Sequence, residues 1–427
     1  MSDFVIAPKP PAHVGAGTIG HLPAVVRATG ADQVVVVTDA SLSATPVIAT
    51  VRAVLDQAGI PARLFAGVHP NPTVDDIAAG ADAVARVFAD ADAEAAASAS
   101  AVAVAAMLRP TAPLVTPPGA AAPAPAVPPA RRIALVAVGG GSPIDAAKGI
   151  ALAAVNPQRG RDLDYRGDFA TPALPIVAVP TTAGTGSETN AFGVVTDPAG
   201  RRKFYLGHAS SMPAAAILDP ALTVGLPPAV TAATGLDALT HALESYLSAR
   251  PNPWSDGIAL QVIRMIAVAL PRACADSGDL AARAQMLLAA HMAGVAMAST
   301  GLGLCHAIGH ALGARWDVAH GVALAMVLPE VLRFNQPART QRLAEVACAL
   351  GAGDTRADDQ RNAAAAIGAV TGLRDMIGLD RRISEFGVTE ADFGQIAADA
   401  LDDEVLANTP RRPTGDDIHA ILMACAG

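Results

Sequence analysis

Three short, uninterrupted apolar runs constrain this chain more than anything else in it. They are VVVVTD (Val34–Asp39), IALVAV (Ile133–Val138) and LPIVAVP (Leu174–Pro180). A strand with one wet face alternates apolar and polar residues, whereas a run without alternation needs both faces covered. A fourth run, ARLFAGV (Ala62–Val68), follows the helix-like stretch Pro46–Ala58. The turn HPNPT (His69–Thr73) then leads into a second helical stretch, Val74–Asp90. Strands alternating with helices predict a parallel sheet with helices on both faces. From about Pro227 the valine runs stop, and TAATGLDALTHALESYL, GIALQVIRMIAVAL and AARAQMLLAAHMAGVAMAS carry apolar residues at helical spacing. The chain therefore divides into an α/β domain at 1–226 and an all-helical domain at 227–427.

One segment departs from this plan. Residues 91–130 are almost only Ala, Pro, Val, Ser and Thr and end in PPGAAAPAPAVPPA. Proline at that density can neither continue a helix nor donate to a sheet. The segment reads as a surface insertion, with a helical start near Ala95–Leu108 followed by a polyproline-like loop. Composition sharpens the class: 52% of residues are hydrophobic and only 16% charged, which raises the question of a membrane. The uncharged alanine-rich stretch Ala95–Leu108 is 14 residues, short of the roughly 20 a spanning helix needs. The N-terminal MSDFVIAPKPPAHVG lacks a basic region followed by an apolar one, so no secretory signal and no membrane are expected. With 30 basic against 39 acidic residues and no basic run, a nucleic-acid partner is excluded. The four cysteines, Cys274, Cys305, Cys348 and Cys425, form no CxxC pair. That predicts neither a zinc knuckle nor a disulfide framework, but a reduced, cytoplasmic setting.

Two loops after strands carry glycine and hydroxyl groups. GGGSPIDAAK (Gly139–Lys148) follows the strand Ile133–Val138. Its glycines let backbone N–H groups approach an anion, Ser142 reads as a helix N-cap and Pro143 as the first helical residue. Strand, glycine turn and helix N-terminus together make a phosphate cradle, although the spacing is not G-x-G-x-x-G. PTTAGTGSE (Pro180–Glu188) sets Thr181, Thr182, Thr185 and Ser187 beside two glycines, again after a strand. Two such loops predict one shared ligand crevice, which makes the α/β half a Rossmann-like nucleotide-binding domain. Asp39 closes its strand, where a carboxylate can accept from a ribose 2′-OH; the ordinary alternative is a turn or N-cap residue.

The strongest pattern is acidic and imidazole-rich. GLDALTHALE sets Asp237 and His241 four apart, on one face of a helix. GLCHAIGHALGARWDVAHG sets His306 and His310 four apart, with His320 ten further on. Polar groups embedded in apolar helices cost free energy unless paired or metal-bound. One carboxylate and three imidazoles suit a divalent transition metal such as Fe²⁺ or Zn²⁺.

GGGSPIDAAK, PTTAGTGSET, ILDPALTVGLPP, GLDALTHALESY and GLGLCHAIGHALGARWDVAHG together resemble the iron-containing (group III) alcohol dehydrogenases. Order and approximate spacing match over nearly the whole chain, apart from 91–130. The resemblance implies an N-terminal NAD-binding domain, a helical metal-binding domain and an active site in the cleft between them. It assigns the metal, Fe²⁺ ahead of Zn²⁺, to Asp237, His241, His306 and His320, and makes His310 a non-ligand histidine near the nicotinamide. It places Gly139, Gly140, Gly141 and Ser142 at the pyrophosphate, with Asp145 and Lys148 nearby. It sets Thr181, Thr182 and Thr185 in the second cofactor loop and Asn71 beside the cofactor, and links Asp39 to a preference for NAD over NADP. Ala319 stands where the family often has proline, which removes a local rigidifier but no ligand.

The implied reaction is reversible hydride transfer between a primary or secondary alcohol and NAD, giving aldehyde or ketone, with His310 passing the alcohol proton to solvent. Ala191, Phe192, Cys305 and Trp316 are expected near the substrate. A homodimer or larger homo-oligomer is implied as well. The alternatives are a maleylacetate-reductase-like or other NAD(P)H-dependent carbonyl reductase of the same fold, or a metal-dependent lyase or hydrolase. The complete ligand set weighs against the first, and the two nucleotide loops against a hydrolase.

Overall fold

The computed structural model describes residues 10–107, 132–200, 202–250 and 252–427. The first half runs β1 (Ala12–Val14), α1 (Leu22–Ala28), β2 (Gln33–Asp39), α2 (Ala40–Ser43), α3 (Pro46–Gln57), β3 (Ala62–Val68) and α4 (Val74–Met107). It continues with β4 (Ile133–Gly139), α5 (Gly141–Ala153), β5 (Ile176–Pro180), β6 (Phe192–Asp197), β7 (Arg202–Gly207) and β8 (Ala215–Leu218). Six strands form a parallel sheet in the order β1-β8-β5-β4-β2-β3, while β6 and β7 pair as a separate antiparallel hairpin.

The valine runs are continuous because each sheet face has its own core. Val34 and Val36 pack with Ile48, Val51 and Leu55 of α3. Val35 and Val37 pack on the opposite face with Ile77 and Val84 of α4 and Ile144 and Ile150 of α5. All four valines are essentially inaccessible, and burying each contributes about 1.5–3 kcal/mol. The chain goes outward from β2 to β3, then returns to the other side of β2 to lay down β4 and β5. That reversal puts the switch point, where open α/β sheets bind ligands, between the carboxyl ends of β2 and β4.

The second half is helical: α6 (Pro228–Leu247), α7 (Pro253–Ala275), α8 (Leu280–Thr300), α9 (Leu304–Trp316), α10 (His320–Ala349), α11 (Asp359–Met376), α12 (Phe393–Asp402) and α13 (Gly415–Ala426). Its core is alanine-rich, with Ala238, Ala242, Ala259, Ala289 and Ala293 filling the space between leucines and isoleucines.

Three expectations need correction. Alanine's high helix propensity carries α4 to Met107 rather than stopping it at Asp90; the polyproline-like loop at 108–131 lies outside the described residues. Ser142 is not an N-cap: α5 starts at Gly141 with Gly140 extended before it, so Ser142 and Pro143 both sit inside the first turn. Helices α7 and α8 are long and apolar enough, by length and composition, to cross a bilayer, contrary to the expectation of no such segment. Arg264 and Arg272 interrupt α7, but α8 is uncharged from Ala284 to Thr300. Here the two pack into the helical core through Val262, Ile266, Leu270, Met286 and Ala289.

One buried cation ties α5 to the loop after β5. Lys148 is fully buried. Its Nζ donates to Ser187 O (2.8 Å), Ser187 Oγ (2.9 Å), Asn190 Oδ1 (3.0 Å) and Phe192 O (2.6 Å). Asp145, one turn earlier, lies 3.4 Å from Nζ, accepts from Ser187 Oγ and takes the Val194 N–H at 3.0 Å. Burial lowers the lysine pKa and Asp145 opposes that shift. Replacing Lys148 by Met strands these acceptors, so K148M should cost about 3–5 kcal/mol in denaturant unfolding. A loss below about 1 kcal/mol would show that the ammonium does not fix this loop.

Candidate active site

The first loop opens at the end of β4. Gly139 has φ +151°, and a Cβ on it would lie 2.5 Å from Pro143 Cγ. A Cβ on Gly141 would lie 2.8 Å from Thr185 Cγ2. Glycine is therefore required at Gly139 by its φ and by Pro143 of its own loop, and at Gly141 because the second loop packs directly on the first. Thr181 N–H bonds Gly139 O at 2.9 Å across the two strand ends. Asp39, at the end of β2, caps α2 by accepting the Leu42 N–H at 2.8 Å through Oδ1 and also accepts from Ser41 Oγ.

The helical half supplies a tight polar cluster. α6 places Asp237 and His241 on one face, α9 supplies His306, and His320 is the first residue of α10, after a left-handed turn at Asp317 (φ +51°). The Nε2 atoms of His241, His306 and His320 lie 3.2, 3.5 and 3.6 Å from one oxygen, Asp237 Oδ1. One ligand atom each from Asp237, His241 and His306 falls within 4.8 Å of the others. Asp237 Oδ1 and His306 Nε2 are buried with no hydrogen-bond partner. A divalent cation fits that arrangement: it would satisfy both orphaned atoms and balance the carboxylate. Burial alone would raise the Asp237 pKa, but His241, His306 and His320 outweigh it and hold the carboxyl ionised.

Behind the cluster sits Glu244, its side chain 8% exposed. It accepts from Gly303 N (2.8 Å), Cys305 N (2.7 Å) and His306 Nδ1 (2.6 Å). Burial opposes its charge, yet His306 and these donors lower its pKa. Burial likewise opposes a charged His306, and Glu244 and Asp237 still raise its imidazole to about 9. Holding Nδ1 fixes the ring so that Nε2 faces Asp237. His310, one turn along α9, is held the same way, with Nδ1 2.7 Å from Asp403 Oδ2. Burial disfavours the Asp403 carboxylate, but its bond to His310 wins and lowers the pKa.

A cavity of about 160 Å³ joins the halves. Asn71, Gly141, Ser142, Asp145 and Thr185 line it from the α/β half, and Asp237, His241, His306, His310 and His320 from the helices. Gly139, Gly140, Thr181, Thr182, Lys148 and Asp39 are not in its wall; of these, Lys148 is wholly consumed by protein acceptors. Of the expected substrate neighbours, Phe192 lines the cavity, whereas Ala191, Cys305 and Trp316 do not. Cys305 is fully buried, with its Sγ 3.7 Å from Leu324 O.

Four residues escaped the sequence reading. Glu244 stands at i+7 from Asp237 on the same helix, so the helical spacing already held it. Asp403 is 93 residues from His310, and no local pattern links them. Lys203 and Tyr205, on the β7 hairpin strand, also line the cavity. Lys203 Nζ donates to Asn71 Oδ1 at 3.0 Å, with Asn71 in a left-handed conformation (φ +53°). Burial lowers the Lys203 pKa, offset in part by Asp317 and Asp145.

Sequence comparison places known proteins beside this geometry. A family profile described as iron-containing alcohol dehydrogenase matches residues 10–91 and 129–220. A second, for the C-terminal part of the Fe-containing alcohol dehydrogenase family, matches 231–426. The chain is 33% identical over 425 residues to the NAD-dependent methanol dehydrogenase of Bacillus methanolicus, covering 99% of each. It is 44% identical over 290 residues to the probable alcohol dehydrogenase EutG of Escherichia coli, covering 68% of this chain and 72% of that one. A crystal structure of 1,3-propanediol oxidoreductase superposes with TM-score 0.83 at 32% identity, covering 100% of both chains.

The Glu244 contact makes a direct prediction. Glu244→Gln should weaken metal retention roughly 10–100-fold, read as metal content against chelator concentration. Retention equal to that of the unmodified protein would remove the orienting role.

Proposed function

The chain belongs to the iron-containing alcohol dehydrogenase family, and from that premise we propose how its own residues divide the work. It is an NAD-dependent, metal-containing alcohol dehydrogenase that interconverts alcohols with aldehydes or ketones. The assignment that follows is ours: Asp237, His241, His306 and His320 hold the metal. The observation that carries it is the buried, partnerless pair Asp237 Oδ1 and His306 Nε2 inside a ring of imidazoles. When bound, the metal supplies Lewis acidity toward an alcohol oxygen and NAD supplies the hydride acceptor.

The protein's residues bind, orient and move protons. Gly141 and Ser142, at the α5 N-terminus, present backbone N–H groups to the cofactor's phosphates, and Thr185 closes over them. Gly139, Gly140, Thr181 and Thr182 shape that cradle from behind. Asp145 and Lys148 position the two loops rather than touch ligand. Asn71, oriented by Lys203, offers an amide to the cofactor's nicotinamide end. Asp39 binds Leu42 N–H through Oδ1 and keeps Oδ2 for ribose hydroxyls. His310 is the proton carrier: an ionised Asp403 accepts from Nδ1–H, leaving Nε2 as the basic nitrogen toward the cavity.

The division at 226/227 is supported by the last sheet strand ending at Leu218 and α6 starting at Pro228. The free cysteines Cys274, Cys305, Cys348 and Cys425 support a reducing, cytoplasmic setting. The homo-oligomeric assembly belongs to the same proposal.

His306→Ala should lose metal and alcohol-dependent NADH formation together; full turnover in a variant without metal would overturn the ligand assignment. Asp39→Gly should shift the ratio of kcat/KM for NAD over NADP toward NADP by at least tenfold. An unchanged ratio would leave Asp39 only its capping role.

A further inference from the structure

A cavity of about 90 Å³ lies in the helical half, apart from the one at the metal cluster. α10 gives it Glu330 and Arg333, and α11 gives it Arg374. Arg381 and Arg382 enter from the chain just after α11, and the buried Cys425 of α13 completes the wall. None of these six residues lines the cavity at the cluster. Glu330 shares α10 with His320 but stands ten residues further on, about 15 Å along the helix.

The wall holds four guanidinium groups and one carboxylate. That carboxylate, Glu330, pairs with Arg333. Outside the wall, Asp375 takes the Arg374 Nε–H at 2.7 Å, and Glu385 pairs with Arg381. Arg382 makes no ion pair among the described residues. A guanidinium has five N–H groups, and each of these pairs uses one nitrogen or one edge, so donors are left over on all four arginines. Cys425 does not balance them. Burial, helped by Glu330, pushes its thiol up to about 12 against the pull of Arg374, Arg382 and Arg333. The thiol is therefore neutral at physiological pH.

Like charges converging on one cavity repel, and an anion among them removes that cost. The planar fork of arginine matches the paired oxygens of an oxyanion, which makes the class of ligand specific. Size narrows it further. A water takes roughly 30 Å³ in the liquid, so the cavity has room for a single phosphate group and not for a nucleotide.

We propose that this cavity binds a small oxyanion, either phosphate itself or the phosphate group of a monoester, through Arg333, Arg374, Arg381 and Arg382. The site is separate from the cofactor loops of the α/β half and stands independently of the active-site assignment above.

The test is a calorimetric titration of the metal-loaded enzyme, saturated with NAD so that the glycine loops are filled. Inorganic phosphate and glycerol 3-phosphate are added separately at constant ionic strength. One anion should bind per chain. R382Q and R374Q should each weaken that binding about tenfold or more. E330Q, which removes the carboxylate competing for Arg333, should tighten it about threefold or more. Tighter binding of the monoester identifies a phosphorylated metabolite as the ligand, and tighter binding of phosphate identifies the free ion; either result supports the site. No binding of either anion overturns the proposal, as does binding that R382Q and R374Q leave unchanged or that E330Q weakens.

Discussion

A single carboxylate oxygen, Asp237 Oδ1, surrounded by three imidazole nitrogens inside a helical core, is the constraint on which the rest depends. Taking an ionised carboxylate out of water costs several kcal/mol, which only positive charge among its neighbours can offset. The arrangement is stable when a cation sits among the four groups, which turns ligand binding into folding free energy. The surrounding polar groups follow from that need. Glu244 aims one imidazole inward while satisfying two backbone donors of the α9 N-terminus. His310 lies one turn beyond, close enough to serve the same cavity and held by a different carboxylate.

The α/β half supplies the other reactant's seat by a separate logic. Its valine strands, buried on both faces, leave only their carboxyl ends for polar chemistry. The strand order reverses beside β2, and the two glycine-bearing loops meet there. Lys148 locks that meeting: one buried ammonium reaches across 39 to 44 residues of sequence to four acceptors in the second loop. The lock also sets where β6 begins, and hence where Phe192, Lys203 and Tyr205 stand against the helical half.

Much of this was legible in the sequence, for identifiable reasons. Continuous valine runs admit few readings, so β2, β3 and β4 fall within a residue or so of expectation. Asp237, His241, His306 and His320 stood out because a chain with 16% charged residues has few polar groups to spare. Composition misled at one junction: the alanine-rich segment read as an insertion with a separate helical start near Ala95, and its helical character holds, but α4 runs into it from Asp90 without a break. Ser142 read as a cap because its residue type suits one, but the close packing of Gly141 on Thr185 starts the helix earlier. The pairings of His310 with Asp403, Lys203 with Asn71 and Lys148 with Asn190 bring together distant parts of the chain. Only the tertiary fold makes those contacts, so spacing could not reveal them.

The most direct test is a metal titration of the chelated, metal-free protein. Fe²⁺ or Zn²⁺ is added in known equivalents under anaerobic conditions, and bound metal and alcohol-dependent NADH formation are followed together. Activity should rise from the background and saturate at one equivalent per chain, in step with metal bound. Full activity before any metal is added, or saturation of binding with no gain in activity for either metal, would contradict the account.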